Sequence, residues 1–237
     1  DDLCGGVVSS LYISALGALM INATNGVEAG TDSAGRHAEA ANTPLVFVFN
    51  QLDHDNSNFE AALDQCKTSF GKKVTVVQYP VDSGPTFSSI IDVLKMKMYK
   101  YGPDGGEPEI LDIPDSEMEK AEELHNELVE MAAENEEALM ELYFDKGSLT
   151  EDEMRQGMKL GMLERDLFPV FCTGAKKILA LAVYWNLLQI LPLAQTKKRC
   201  AQLKVAKKLK WMNRILPACL FLKLPLNRTL VKLLILK

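Results

Sequence analysis

The residues best suited to ligand chemistry in this sequence form a short polar segment directly after an apolar run: Asn50, Gln51, Leu52 and Asp53. An ionised aspartate placed there can accept two hydrogen bonds from guanine, one from N1–H and one from the 2-amino group. Adenine lacks the 2-amino group and carries an acceptor at N1, so it would leave the carboxylate unpaired. The Asn50 amide can reach the N7 edge of the same base. Without further context, the simpler interpretation is a turn that uses Asn and Asp as local caps.

A second loop, residues 172–176 (CTGAK), consists mainly of small residues and follows another apolar run. In an open parallel sheet, ligands bind at the carboxyl ends of the strands, and both loops fall at such ends. The second loop, around Gly174 and Ala175, could therefore bring backbone N–H groups to O6 of a guanine held by the first.

The elements that would hold these loops alternate between strand and helix. Four short apolar runs are typical of strands buried on both faces: residues 16–23, 45–49, 74–77 and 168–171. Helices are expected between the first three strands, at residues 30–41 and 58–70, and the second helix has Phe59, Ala62, Leu63 and Cys66 on one face. This order predicts an α/β fold with a parallel sheet.

The middle of the chain predicts a mainly helical, acidic lobe. A helix is expected over residues 88–98, a long one over residues 115–143, and another over residues 151–163 that opens with a capping box between Thr150 and Glu153. The Glu-rich outer face is interpreted as solvated surface, with contact to a basic partner left open. The apolar stripe of the long helix is expected to contain Met118, Ala121, Leu124, Leu128 and Ala132.

The charge of the chain changes abruptly near Lys177. Residues 1–177 hold all 32 acidic residues against 14 basic ones, a net charge of −18, which argues against a nucleic-acid footprint there. Residues 178–237 hold 12 Lys and Arg, 17 Leu, and no Asp, Glu or Gly. Within this tail, residues 178–194 are a marginal membrane candidate, and residues 197–210 could form a basic helix that binds a membrane surface or RNA.

Cysteines and histidines give no metal pattern. The five cysteines have no paired spacing, so we expect reduced thiols in a cytoplasmic protein. The three histidines, His37, His54 and His125, are isolated in the sequence, and we expect them at surface or helix-face positions.

Taken together, several segments resemble the G domain of a translational GTPase, and more narrowly the elongation factor G family. The resemblance extends over essentially all of residues 1–177 and favours the ligand-binding interpretation of the first loop. It is carried by Asn50 to Asp53 (NQLD) and by residues 26–31 (GVEAGT), 42–44 (NTP), 91–97 (IDVLKMK), 132–141 (AAENEEALME) and 148–153 (SLTEDE).

The resemblance implies an incomplete parallel-sheet G domain of the P-loop GTPase type with a helical insert. It assigns guanine binding to Asn50, Gln51, Leu52 and Asp53, and to Gly174 and Ala175 in the second loop. Gln51 stands where the family's motif usually has Lys, and Gly174 where its loop has Ser. The expected parts are a partial GTP-binding core at 1–98, the insert at 99–165, the last core strand and guanine loop at 166–177, and the tail at 178–237.

The resemblance also implies GTP hydrolysis, GTP and Mg²⁺ as cofactors, and GTP, GDP and the ribosome as partners of a cytoplasmic monomer without membrane association. The intact protein would drive ribosomal translocation, and a ribosome-recycling role is the alternative within the family. No GxxxxGK[ST] phosphate loop occurs in the sequence. We expect that loop, the Mg²⁺ ligands and the catalytic residues to precede Asp1, so that this internal fragment neither binds GTP tightly nor hydrolyses it.

The tail departs from the family. Codons for a family-like continuation, read with one base deleted, can produce residues 177–188, and residues 219–237 can be recoded in the same frame. We therefore expect residues 178–237 to be an out-of-frame translation, irregular or helical, without a selected fold. The alternative from a different functional class is a non-enzymatic acidic module that a basic tail tethers to membrane or RNA.

Overall fold

The computed structural model describes residues 4–14, 16–102, 106–174 and 233–236. Its helices are α1 (Cys4–Ile13), α2 (Ala29–Ala40), α3 (Phe59–Phe70), α4 (Asp115–Ala133), α5 (Glu137–Lys146) and α6 (Glu151–Glu164). Its strands are β1 (Leu16–Asn22), β2 (Leu45–Asn50), β3 (Val74–Val76), β4 (Gln78–Pro80), β5 (Ser89–Asp92), β6 (Lys97–Lys100), β7 (Glu109–Leu111), β8 (Phe168–Cys172) and β9 (Leu233–Leu236). A 3-10 turn, Gly84–Thr86, lies between β4 and β5.

The strands form two sheets. The first has the order β3-β8-β2-β1, with β9 on the outer edge of β1, and every pair in it is parallel. The second is antiparallel with the order β4-β5-β6-β7. The predicted α/β class with a parallel sheet is confirmed, and the antiparallel sheet is an addition that the sequence patterns do not indicate.

Burial on both faces holds the parallel sheet together. The first five residues of β2, residues 45–49, are each at most 4% exposed, as expected of a central strand in a covered sheet. Helix α3 buries the four residues predicted for its inner face, and the Phe59 ring meets the Phe49 ring edge-on with centroids 5.1 Å apart. The Asn58 side chain accepts the Ala61 N–H at 3.0 Å and so caps this helix.

The helix predicted over residues 88–98 is wrong, because β5 and β6 form a hairpin there. Asp92 ends β5, and its Oδ1 accepts the N–H groups of Leu94 and Lys95 at 3.1 and 3.2 Å, which closes the turn. Burial raises the pKa of Asp92 to about 6, although these two N–H groups oppose the shift. The adjacent isoleucines of β5 also favour a strand, because β-branched side chains pack well on a pleated surface.

The single long helix predicted over residues 115–143 is also wrong, since α4 and α5 are separate. After Ala133, the Asn135 side-chain amide donates to the Met131 carbonyl at 2.5 Å and takes the acceptor that helix continuation would use. The capping box at Thr150 is confirmed, with the Thr150 N–H donating to Glu153 at 2.8 Å. Of the predicted stripe, Ala121, Leu128 and Ala132 are buried, and Met118 and Leu124 are partly buried.

The described part of the tail is a strand, which corrects the expectation of an irregular or helical segment for those four residues. Strand β9 pairs with β1, from Leu16 opposite Leu233 to Leu19 opposite Leu236. The outer edge of β1 has main-chain N–H and C=O groups that need hydrogen-bond partners, and β9 supplies them. Because β1 is almost entirely apolar, an apolar strand is the neighbour expected in a covered sheet. The membrane and basic-helix candidates at 178–194 and 197–210 lie outside the described residues. Within the described ranges, no helix is both long and apolar enough to cross a membrane.

Gly157 is required for the close approach of α6 to α4. A Cβ added at Gly157 would lie 2.2 Å from the carbonyl oxygen of Ala132, a main-chain atom that cannot move without displacing α4. We therefore expect Gly157→Ala to lower the free energy of unfolding by about 2 kcal/mol, measured by urea denaturation.

The matched control is Gly30→Ala in α2, where a Cβ would meet no atom within 4 Å. This change should leave stability unchanged or raise it by up to about 1 kcal/mol, because alanine is the better helix former. An equal loss of stability in both variants would contradict the packing role of Gly157.

Candidate functional site

The polar segment after β2 lies where three parallel strands end at the same level. Asn50 is the last residue of β2 and pairs with Asn22, the last residue of β1. On the other side, Phe49 pairs with Cys172, the last residue of β8. The loops that follow β1, β2 and β8 therefore leave the sheet side by side, at the edge where parallel α/β sheets bind ligands.

The second loop predicted from the sequence begins beside the first. The Thr173 N–H donates to the carbonyl of Phe49 at 2.8 Å, which ties the start of this loop to the end of β2. Gly174 lies within the described residues and is buried. Ala175 lies outside the described residues, so the structure places one of the two residues that the resemblance assigned to this loop.

The turn after β2 has one inward and two outward residues. The Leu52 side chain is fully buried, so it anchors the turn in the core and is not available to a ligand. Gln51 is exposed and Asp53 is partly exposed. The Asp53 carboxylate therefore remains accessible at the edge of the sheet, next to the β2 terminus that carries Asn50.

Gln51 holds its backbone in the left-handed region, with φ of 62°. Its carbonyl accepts the His54 N–H at 3.1 Å, which closes the turn over Leu52 and Asp53. A residue with a Cβ is strained in this conformation, and such positions cluster where a chain must present side chains in a fixed direction.

The loop after β1 borders the same turn. Its Ala23 N–H donates to the carbonyl of Asn50 at 3.0 Å, and its Ala23 carbonyl accepts the Asn58 N–H at 2.9 Å. The hydroxyl oxygen of Thr24 is buried and has no hydrogen-bond partner among the described residues. Buried polar atoms are normally paired, and an atom closed to solvent is also closed to a ligand, so an ordered water is the partner that this oxygen would take. The sequence patterns do not single out Thr24.

Two further residues that sequence reasoning missed, Ser57 and Gly84, support the turn. The Leu52 carbonyl accepts the Ser57 hydroxyl at 2.9 Å and the Gly84 N–H at 2.8 Å. The run Asp82-Ser83-Gly84-Pro85 is a recognisable turn signal, but nothing in the sequence indicates that this turn meets the segment after β2.

Cys172 beside these loops is buried, and the three histidines are dispersed over the described part of the chain. The Cys172 thiol donates to the Gln78 carbonyl at 3.4 Å, and burial raises the pKa of Cys172 well above its usual value, so it is not a reactive thiolate. His54 is exposed, and His37 is partly exposed on α2. The His125 Nδ1–H donates to the Val93 carbonyl at 2.8 Å. In the described ranges, no group of three or more His, Cys, Asp or Glu side chains suits a metal ion.

Comparison with known proteins supports the fold. No model of a known protein family matches the sequence. Among solved structures, the crystal structure of ttk003000868 from Thermus thermophilus matches 81% of this chain with a TM-score of 0.72 and 23% sequence identity. The chain spans 28% of the length of that protein. At this identity the likeness shows a shared fold.

The backbone strain at Gln51 gives a stability test. We expect Gln51→Gly to raise the free energy of unfolding by up to about 1 kcal/mol, because glycine adopts a positive φ without a Cβ clash. Gln156→Gly in α6 is the control, and it should lower stability by about 1 kcal/mol because glycine is a poor helix former. Urea denaturation of both variants measures the effect, and a loss of stability in Gln51→Gly would show that the turn is unstrained.

Proposed function

We propose that the carboxyl edge of the parallel sheet binds the base of a guanine nucleotide through Asp53 and Asn50. The observation that carries this proposal is that β2 and β8 end at the same level of the sheet, where the Thr173 N–H donates a hydrogen bond to the Phe49 carbonyl. That pairing sets an accessible carboxylate on one loop beside the backbone of a small-residue loop. Both kinds of group are needed to recognise the donor and acceptor edges of one planar base.

The proposed contacts follow from the hydrogen-bonding groups of guanine. The Asp53 carboxylate would accept N1–H and the 2-amino group, and the Asn50 amide would reach N7. The loop that starts at Thr173 would offer N–H groups to O6. Adenine reverses the pattern at positions 1 and 6, so it would leave the Asp53 carboxylate without a donor.

For this chain we propose contacts to the guanine base alone. The sequence has no GxxxxGK[ST] motif, and the described residues offer no ligand set for Mg²⁺, so we propose no phosphate or metal contact from the described part of this chain. In phosphoryl-transfer enzymes those groups supply most of the affinity and the catalysis. We therefore expect this chain to bind GTP with a Kd on the order of millimolar and not to hydrolyse it; micromolar binding would contradict this.

At the level of the whole protein, we propose an elongation-factor-G-like GTPase that drives ribosomal translocation. Support comes from the segments that resemble this family and from an α/β fold in which the NQLD segment ends a central parallel strand. Hydrolysis, the role of Mg²⁺, the ribosome as partner and the cytoplasmic location are parts of this proposal and depend on the family resemblance.

Asp53→Asn tests the base contact by changing which base fits. An asparagine amide offers one acceptor and one donor, which match N1–H and the C2 carbonyl of xanthine but not the two donors of guanine. We expect the variant to lose at least roughly ten-fold in GMP binding and to gain binding of XMP, measured by saturation-transfer NMR with AMP as a reference.

The matched control for this switch is Asp55→Asn, which removes the same charge two residues along the same exposed turn. It should leave the preference for GMP over XMP unchanged. If both variants lose GMP binding equally, the effect is one of charge alone and the assignment of Asp53 is wrong.

A further inference from the structure

We infer that Ser57 positions the turn at residues 51–54, here called the base-recognition turn, and that the turn at residues 83–86 before β5 is part of the same site. This inference rests on the proposed function, because it concerns how the Asp53 carboxylate is aimed at a guanine. It adds a positioning residue and a second chain segment that the polar motif itself does not contain.

Two donors meet at the carbonyl oxygen of Leu52. The Ser57 hydroxyl donates to it at 2.9 Å, and the Gly84 N–H donates to it at 2.8 Å. The Gly84 N–H also lies 3.0 Å from the Ser57 oxygen, so the three groups form a closed cluster. Leu52 and Gly84 are buried and Ser57 is partly buried, which shields these hydrogen bonds from water.

Fixing the Leu52 carbonyl fixes the direction of Asp53. The peptide bond between them is planar, so a carbonyl held by two donors also sets the orientation of the Asp53 N–H and limits its backbone. The Ser57 N–H donates to the His54 carbonyl at 3.0 Å, which closes the rest of the turn. Ser57 thus contacts the backbone on both sides of Asp53, which itself stays partly exposed.

The partner turn is itself rigidly placed. Gly84 has φ of 83°, a conformation that residues with a Cβ rarely adopt, and Pro85 follows it. The buried Phe87 donates its N–H to the Gly84 carbonyl at 2.9 Å, and the Val81 N–H donates to Ser89 in β5 at 3.1 Å. The base-recognition turn is therefore braced against the antiparallel sheet and not only against its own strand.

Removing the Ser57 hydroxyl should loosen Asp53 without unfolding the protein. In Ser57→Ala, the Leu52 carbonyl keeps the Gly84 N–H, so the turn remains but with one donor fewer. We expect GMP binding to fall roughly three- to ten-fold with AMP binding unchanged, and the Gly84 amide to exchange faster with solvent. Ser57→Thr restores the hydroxyl and should restore both properties.

The experiment compares the full chain with Ser57→Ala, Ser57→Thr and the control Ser69→Ala, an exposed serine on α3. The readouts are the ratio of GMP to AMP binding by saturation-transfer NMR and the hydrogen exchange of the Gly84 amide. A reduced ratio and faster exchange in Ser57→Ala alone, with rescue by threonine, supports the inference.

Two outcomes would overturn it, and they are distinguishable. If the wild-type chain prefers GMP and Ser57→Ala keeps the same preference, Ser57 is not a positioning residue although the proposed function stands. If the wild-type chain shows no preference for GMP over AMP, the proposed function fails and the inference fails with it, whatever the exchange rate of Gly84.

Discussion

The candidate site depends on one constraint, the parallel pairing of β1, β2 and β8 in a register that ends all three strands at the same level. A shift of one residue would turn each strand's side chains to the opposite face of the sheet and would move the loops apart. The hydrogen bond from Thr173 to Phe49 extends this register into the first residue of the loop after β8. The buried Leu52 then carries the constraint into the turn that presents Asp53.

The elements that the sequence predicts well are those with strong local patterns. The buried strands β1, β2 and β8 follow from continuous apolar runs, and the inner face of α3 follows from its 3.6-residue period. The hairpin of β5 and β6 could not be predicted in this way, because a short apolar run fits either a helix or a strand. Its turn also depends on hydrogen bonds to the side chain of Asp92. The contact between Ser57 and Gly84 joins residues 27 positions apart, and a local sequence pattern cannot predict a contact between such distant residues.

The helical lobe, α4 to α6, contacts α3, the helix that follows the base-recognition turn. Helix α4 meets α3 through ion pairs from Lys120 to Glu60 at 2.5 Å and from Lys67 to Glu127 at 3.6 Å. These pairs are exposed and each contributes little to stability. The Tyr79 ring is fully buried, and the ammonium of Lys120 lies 4.7 Å from its centre. Burial of this ring therefore contributes more to holding the lobe against the core than the surface charges do.

The central claim is that a guanine base binds at the carboxyl edge of the parallel sheet. The most direct measurement is a ¹H–¹⁵N chemical-shift titration of the full chain with GMP, taken to millimolar concentration alongside AMP. The account predicts GMP-specific shifts for residues 50–57, for Thr173 and Gly174, and for Gly84 in the turn at residues 83–86. Shifts confined to α4, α5 and α6, or equal shifts with AMP, would contradict it.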